Sequence, residues 1–318
     1  MLDKINNYIK HLPLDREPRG LYEPIEYVLS LGGKRIRPML MLMAYGLWRD
    51  DNEKILPQAV ALETFHNFTL LHDDVMDHAD VRRGKPTVHK KWDENTAILS
   101  GDNMLVLSFK WMQQCPAEKM PAILNTFTTT AIEIDEGQQM DVDFEERNDV
   151  REEEYIEMIR LKTSVLLACA IKIGAIMADA PDEDVENLYK FGEAIGLSFQ
   201  LQDDYLDVYG NPEVFGKAIG GDIACNKKTY MLINALNKAE GEEKKELEQW
   251  INAKDADRDE KVKAVTRIYN RLGIDQMAKA KMEQYYKEAI AFLDKVNVPE
   301  SRKRTLRDYA DSMMKREK

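Results

Sequence analysis

Four long runs of the chain, AVALETFHNFTLLHDDVMD, YIEMIRLKTSVLLACAIKIGAIMA, VENLYKFGEAIGLSFQLQDDYLDVY and KTYMLINALNKAEG, place apolar residues at the three- and four-residue spacing of an α-helix. Several are apolar on more than one face. Such a helix has no side to turn to water and must be enclosed by other helices. Strand-like alternation is nearly absent. The recurring Ala, Leu, Met, Glu and Lys are strong helix formers, and glycine (16) and proline (11) are too sparse to interrupt long helices. The breaks are short: LGGKRIRP at 31–38, RRGKPT at 82–87, DAPDED at 179–184 and GNPEVFGKAIGGD at 210–222. None has the composition of a flexible linker. The predicted architecture is one all-α domain over residues 1–318, with the charged stretch 240–263 as a solvated helical hairpin.

Charge narrows the partners. Lysine and arginine number 45 against 57 acids, a net charge of −12, which speaks against nucleic acid and against stable association with an anionic membrane. No stretch approaches the roughly 18 apolar residues of a membrane span, and the N-terminus lacks a signal-peptide core. Cys115, Cys169 and Cys225 are odd in number and lack C-x-x-C spacing, so neither a disulfide frame nor a zinc site is expected. A reducing, cytoplasmic setting is the expectation.

Two of the helical runs end in the same signature, LHDDVMD at 71–77 and LQDDYLD at 201–207. At about 3.6 residues per turn, Asp73 and Asp77 share one helix face, one turn apart, and Asp203 and Asp207 do the same. Like charges at that spacing destabilise a helix, so two such pairs are costly unless a cation fills them. Calcium, magnesium and a basic protein partner are the candidates. Calcium loops interleave acids with a turn glycine, a pattern neither segment has; magnesium takes few carboxylates and shares its other positions with water and phosphate oxygens. A solvated acidic patch is the bland reading of one such motif and a poor one of two.

Phosphate would need cations, and they occur in groups beside glycines. Lys34, Arg35 and Arg37 follow a glycine pair, Arg82, Arg83 and Lys85 follow the first acidic motif, and Lys162, Lys217, Lys227 and Lys228 come later. Gly32, Gly33, Gly84, Gly216, Gly220 and Gly221 adjoin them, where a missing Cβ would let backbone approach a ligand. Two phosphate pockets are the expectation, one shared with the acidic pairs. His66 lies seven residues before Asp73, two turns back on the same face, and its pattern suits a neutral donor into the same cavity and a satisfied core histidine equally. Neither a nucleotide-binding glycine motif nor a Ser-His or Cys-His arrangement for a nucleophile is present.

In this order, GGKRIRP, LLHDDVMDHADVRRGKPTVH, KT at 162–163, FQLQDDYLD and GKAIGGDIACNKKT resemble the trans-polyprenyl diphosphate synthases, the family of farnesyl and geranylgeranyl diphosphate synthases. The resemblance implies the isoprenoid synthase fold, a large helical bundle around a deep central cavity, normally a homodimer, with both acidic motifs facing that cavity. It implies several magnesium ions held by Asp73, Asp77 and Asp203, with Asp74, Asp204, Asp207 and Asp222 as supporting acids. Arg82, Lys162, Gln200, Lys217 and Lys227, with Thr163 beside them, would hold an allylic diphosphate. Lys34, Arg37, His66 and Arg83 would hold isopentenyl diphosphate, with Phe199 on its hydrocarbon part. Asp73, Asp77, Arg82, Lys162, Asp203 and Lys217 would serve ionisation directly. The spacing from Lys217 to Asp222 is one residue longer than in some farnesyl synthases, which bears on the role of Asp222. Apart from the resemblance, the basic tail MMKREK is read either as a lid over the isopentenyl site or as a frayed end.

Product length would be set below the first motif. Phe68 lies five residues before Asp73, about 7.5 Å along the helix, with Thr69 next to it. One aromatic there, with no insertion in the motif, resembles short-chain geranylgeranyl synthases, so a twenty-carbon product is expected, with fifteen carbons the runner-up. The alternatives are a class I terpene cyclase, which usually pairs its aspartate motif with a different second metal site, and a non-catalytic helical partner subunit of a synthase.

Overall fold

A computed structural model describes residues 1–211, 219–253 and 255–315. Among them, everything regular is helical except one two-residue hairpin. The helices are α1 (Leu2–Lys10), α2 (Arg19–Ser30), α3 (Ile36–Tyr45), α4 (Leu56–Met76), α5 (Val88–Lys91), α6 (Glu94–Met112), α7 (Met120–Glu146), α8 (Glu152–Ile159), α9 (Val165–Met177), α10 (Asp182–Tyr209), α11 (Gly221–Ala224), α12 (Tyr230–Lys238), α13 (Gly241–Asn252), α14 (Arg258–Leu272), α15 (Ile274–Lys295) and α16 (Glu300–Met314). A 3-10 turn at Asn52–Ile55 precedes α4, and a π turn at Arg160–Ser164 joins α8 to α9. Strands β1 (Val81–Arg82) and β2 (Lys85–Pro86) pair antiparallel, Val81 opposite Pro86 and Arg82 opposite Lys85. The fold class is that predicted from periodicity. The chain forms two compact units, one of Met1–Thr128, Cys169–Glu186 and Asn297–Lys303, the other of Thr129–Ala168, Asn187–Val296 and the residues from Arg304 on.

In the first unit, α4 lies along α6, and α1, α2 and α3 pack against α4. Pro57 enters α4 in its first turn, where its missing N–H costs nothing. From there Ala59, Val60, Ala61, Leu62 and Phe65 are buried on every side, as a helix apolar all round must be. Asp93 caps α6, accepting from Thr96 N–H at 2.8 Å. One cation from the group at 34–37 belongs to this core and not to a phosphate pocket. Arg35 is buried; its guanidinium donates to Glu63 Oε1 (2.7 Å), the Leu29 carbonyl (2.6 Å) and Asn6 Oδ1 (3.3 Å), tying α1, α2 and α4 together.

In the second unit, α12 packs against α8, α14 and α15 over a core that includes Tyr155, Leu201, Ile268 and Tyr269. The charged stretch is a hairpin of α13 and α14, with Arg271 bridging Glu243 (3.2 Å) and Glu246 (2.8 Å). It is less solvated than its composition predicts: Leu247 is fully buried, and Lys261 is buried with its ammonium on the Ala224 carbonyl at 3.1 Å. Two glycines grip the π turn. A Cβ on Gly137 of α7 would lie 2.4 Å from Lys162 N, and one on Gly196 of α10 would lie 2.6 Å from Ser164 Cα.

Candidate active site

The first acidic motif closes α4. Helical bonding continues to its end, the Asp77 N–H donating to the Asp73 carbonyl at 2.8 Å, so these two carboxylates keep the one-turn spacing expected of them. Asp73 is half-buried and Asp77 exposed, whereas Asp74 turns inward and is buried. Arg82 meets it: Nε donates to both Asp74 oxygens (2.8 and 2.9 Å), and Nη2 lies 2.7 Å from Oδ1. This two-point geometry orients both partners.

Arg82 and Arg83 are adjacent but in different electrostatic states. The β1–β2 hairpin turns at Arg83 and Gly84, with φ of 52° and 74°, the double positive φ of a tight I′ turn. An arginine there carries left-handed backbone strain of about 1–2 kcal/mol. Its guanidinium bends back over the glycine pair, donating to the Gly32 carbonyl and, at 3.4 Å, to Asn67 Oδ1. A Cβ on Gly33 would lie 3.0 Å from the Arg83 guanidinium carbon, so the glycine makes room for a cation of this chain. Both acceptors are neutral, and among the described residues no carboxylate pairs with Arg83. The positive charge of Arg82 is spent on Asp74; that of Arg83 is not.

His66 adjoins this group. Burial, then the positive charges of Arg37, Arg83, Arg82 and Arg35, push its imidazole well below the usual histidine range, which favours the neutral form. Lys34 is exposed and Arg37 half-buried at the start of α3. Phe68 packs with its ring 5.6 Å from Phe65 and 4.8 Å from His72, and Thr69 Oγ1 donates to the His66 carbonyl at 2.8 Å.

The second unit brings the later residues together. Lys162 and Thr163 sit on the π turn, an irregularity common at functional sites. Lys162 Nζ reaches Asp141 Oδ2 at 2.6 Å. Thr163 Oγ1 donates to Gln200 Oε1 (3.0 Å), Gln200 Nε2 to Asp204 Oδ1 (2.9 Å), and the Tyr155 hydroxyl to Asp204 Oδ2. Asp207 accepts from the Asp222 N–H at 2.9 Å. Burial pushes the Asp204 carboxyl up, against the pull of Lys227 and of its Tyr155 and Gln200 donors. Asp222 is pushed to about 7 by burial and by Asp204, Asp207 and Asp141, with Lys227 opposing. The Lys227 ammonium is raised in turn, Asp204, Asp222 and Asp141 outweighing its desolvation. Asp203 is half-buried and Phe199 buried.

Lys217 and Gly216 lie outside the described residues. The other glycines serve the chain itself: Gly84 supplies a turn, and Gly220, at φ 78°, lies where a Cβ would be 2.5 Å from Val262. Within the second unit the Met314 carbonyl, at the start of the tail, accepts from Gln202 Nε2 at 2.7 Å; the last three residues are outside the described set. Sequence reading missed Asp141, Tyr155, Glu63 and Asn67. Only Gly137, alone inside a helical pattern, marked the place where two segments approach closely.

The acids fit a hard, oxygen-seeking cation. Among the described residues no three acid, histidine or cysteine side chains form a ready metal cage. Asp141, Asp204 and Asp207 nevertheless add negative charge around Asp222, which burial has already pushed up, and Asp73 and Asp77 sit one helical turn apart. Few carboxylates, with water and phosphate completing the shell, is the coordination magnesium prefers.

Acidic helix ends and grouped cations on an all-α frame make an enzyme site for an anionic, metal-bridged substrate the reading to set against known proteins. The polyprenyl synthetase family profile matches residues 18–269. The short chain isoprenyl diphosphate synthase of Methanocaldococcus jannaschii is 41% identical over 269 residues, 84% of this chain and 81% of its own. The geranylgeranyl diphosphate synthase of Methanosarcina mazei is 42% identical over 248 residues, 75% of this chain and 76% of its own. A crystal structure of a geranylgeranyl pyrophosphate synthase superposes with a TM-score of 0.93 at 41% identity, covering 99% of this chain and 98% of that one. The chain belongs to the polyprenyl synthetase family.

Proposed function

We propose that this chain is a trans-prenyltransferase that condenses isopentenyl diphosphate with an allylic diphosphate, giving a twenty-carbon trans-prenyl diphosphate, with fifteen carbons the nearest alternative. The observation that carries the reading is the end of α4, where Asp73 and Asp77 keep helical spacing while Asp74 is locked to Arg82. Asp73, Asp77 and Asp203 would hold magnesium, with Asp74, Asp204, Asp207 and Asp222 behind them. Bound magnesium supplies Lewis-acid stabilisation of the charge that grows on a departing diphosphate.

The chain's own groups then have defined work. Lys162, Lys217 and Lys227 place positive charge against the allylic diphosphate, Arg82, held by Asp74, turns its remaining N–H groups to it, and Thr163 and Gln200 orient it, so that the carbon–oxygen bond ionises toward an allylic cation. Lys34, Arg37, His66 and Arg83 hold the second diphosphate, and His66, kept neutral, donates without adding charge. The double bond of isopentenyl diphosphate attacks the cation. One proton leaves the adjacent carbon for the released diphosphate, and no side-chain nucleophile is needed. Phe199 and the apolar runs before both motifs exclude the water that would quench the cation. Phe68 limits the growing tail.

A homodimer is part of this reading. On α6, Leu99 and Val106 stand two turns apart on one face and are 60% and 63% exposed, with Ile98 beside them, an apolar surface suited to a second copy. A reducing, cytoplasmic setting belongs to the same reading. No helix among the described residues is long and apolar enough to cross a membrane. The test is incubation of the purified protein with labelled isopentenyl diphosphate, magnesium and each allylic starter in turn, followed by product sizing. A twenty-carbon product is expected; no elongation of any starter would end the proposal.

A further inference from the structure

Arg83 owes its position to a buried polar relay. Arg35 Nη1 donates to Glu63 Oε1 (2.7 Å), and Asn67 Nδ2 donates to that same oxygen (3.1 Å) and to the Glu63 carbonyl one turn back (2.7 Å). Asn67 is 1% exposed, and its amide has two donors and one acceptor oxygen. With both donor contacts made to Glu63, the oxygen must face the other way, and there it meets Arg83 Nη1 at 3.4 Å. The amide orientation is therefore decided by Glu63, itself buried.

The chemical consequence lies in the kind of acceptor. A carboxylate in that place would hold Arg83 more tightly and cancel its charge, as Asp74 does for Arg82. A neutral oxygen from Asn67, with the Gly32 carbonyl, fixes the planar guanidinium and leaves its charge for an incoming dianion. Glu63, the nearby negative charge, is itself compensated by Arg35. We propose that Asn67 is a positioning residue, aimed by Glu63, that presents Arg83 with its charge uncancelled to the diphosphate of isopentenyl diphosphate. The proposal rests on the assignment of Arg83 to that substrate.

A double-mutant cycle separates positioning from general damage. Asn67→Ala, Arg83→Ala and the double variant are made in the full chain, their folding is checked by circular dichroism and thermal unfolding, and KM is measured for each substrate. Asn67→Ala should raise KM for isopentenyl diphosphate about tenfold, the scale of one hydrogen bond to a charged group, and leave kcat and the allylic KM within about twofold. In the Arg83→Ala background it should do nothing further. Equal fold-changes in both backgrounds, or a parallel rise of both KM values, would overturn the proposal. If Arg83→Ala raises only the allylic KM, the substrate assignment fails, and the cycle read on that constant still decides whether Asn67 acts through Arg83. Should Asn67→Ala not fold, Asn67→Ser, which keeps a donor toward the Glu63 carbonyl, is used in the same cycle.

Discussion

Replacing Gly137 by alanine sets two effects of opposite sign against each other. In an ordinary helix interior the change stabilises by about 1 kcal/mol, because alanine loses less backbone freedom on folding. Here the new Cβ would lie 2.4 Å from Lys162 N, 2.8 Å from Leu161 Cβ and 2.9 Å from the Leu161 carbonyl carbon. Two of these are backbone atoms, which cannot rotate away, so α7 and the π turn must part. Overpacking costs up to about 3 kcal/mol, leaving a net loss of roughly 2 kcal/mol. At about 2 °C per kcal/mol for a chain this large, the unfolding midpoint should fall by about 4 °C. The residues pushed aside are the ones that carry Lys162 and Thr163, and a misplacement near 1 Å can cost about 100-fold in rate. Calorimetry with steady-state kinetics on Gly137→Ala should therefore show a lower midpoint together with at least a tenfold loss of kcat/KM for the allylic substrate. A higher midpoint with unchanged kcat/KM would mean that close packing against the π turn has no part in holding Lys162, and would refute the reasoning.

Phe68→Ala should lengthen the product, read as a shift of the product ladder on chromatography; an unchanged ladder removes Phe68 as the floor. His66 is held neutral when folded but takes a proton near pH 6.5 when unfolded, so its contribution to stability is complete above pH 6.5 and is lost as pH falls. The unfolding free energy of the substrate-free protein, from denaturant titrations, should thus fall between pH 6.5 and 5, by up to about 1.4 kcal/mol per pH unit from this group, and His66→Asn should flatten that part of the profile. Arg35→Met strands the buried Glu63 carboxylate and should cost about 3–5 kcal/mol, whereas Arg35→Met with Glu63→Gln should recover part of it; equal losses would show that the pair is not coupled.

What was legible beforehand divides along the range of the interactions. The helical runs and the doubled D-D-x-x-D announce themselves because their periodicity and spacing are local, and Asp73 and Asp77 fall as the spacing requires. Arg35 and Arg83 look alike in GGKRIRP and RRGKP. One is a core strut and the other a strained turn residue with its charge uncancelled, because Glu63 and Asn67, about thirty and sixteen positions away, decide which acceptor each meets. The π turn was equally hidden. Nothing in RLKTS marks it; it exists because Gly137 and Gly196 let α7 and α10 come within contact of its backbone. Asp141 and Tyr155 read as ordinary helix-face residues until tertiary packing sets them on Lys162 and Asp204.

The central claim is that carboxylates from both acidic motifs hold divalent ions on one allylic diphosphate. Crystals grown with manganese and an allylic thiodiphosphate that cannot ionise, examined by anomalous scattering, test it directly. The account predicts metal peaks about 2.0–2.2 Å from oxygens of Asp73, Asp77 and Asp203, with diphosphate oxygens completing each shell. Metal bound to only one of the two motifs, or a diphosphate held by arginine and lysine with no metal between, would contradict it.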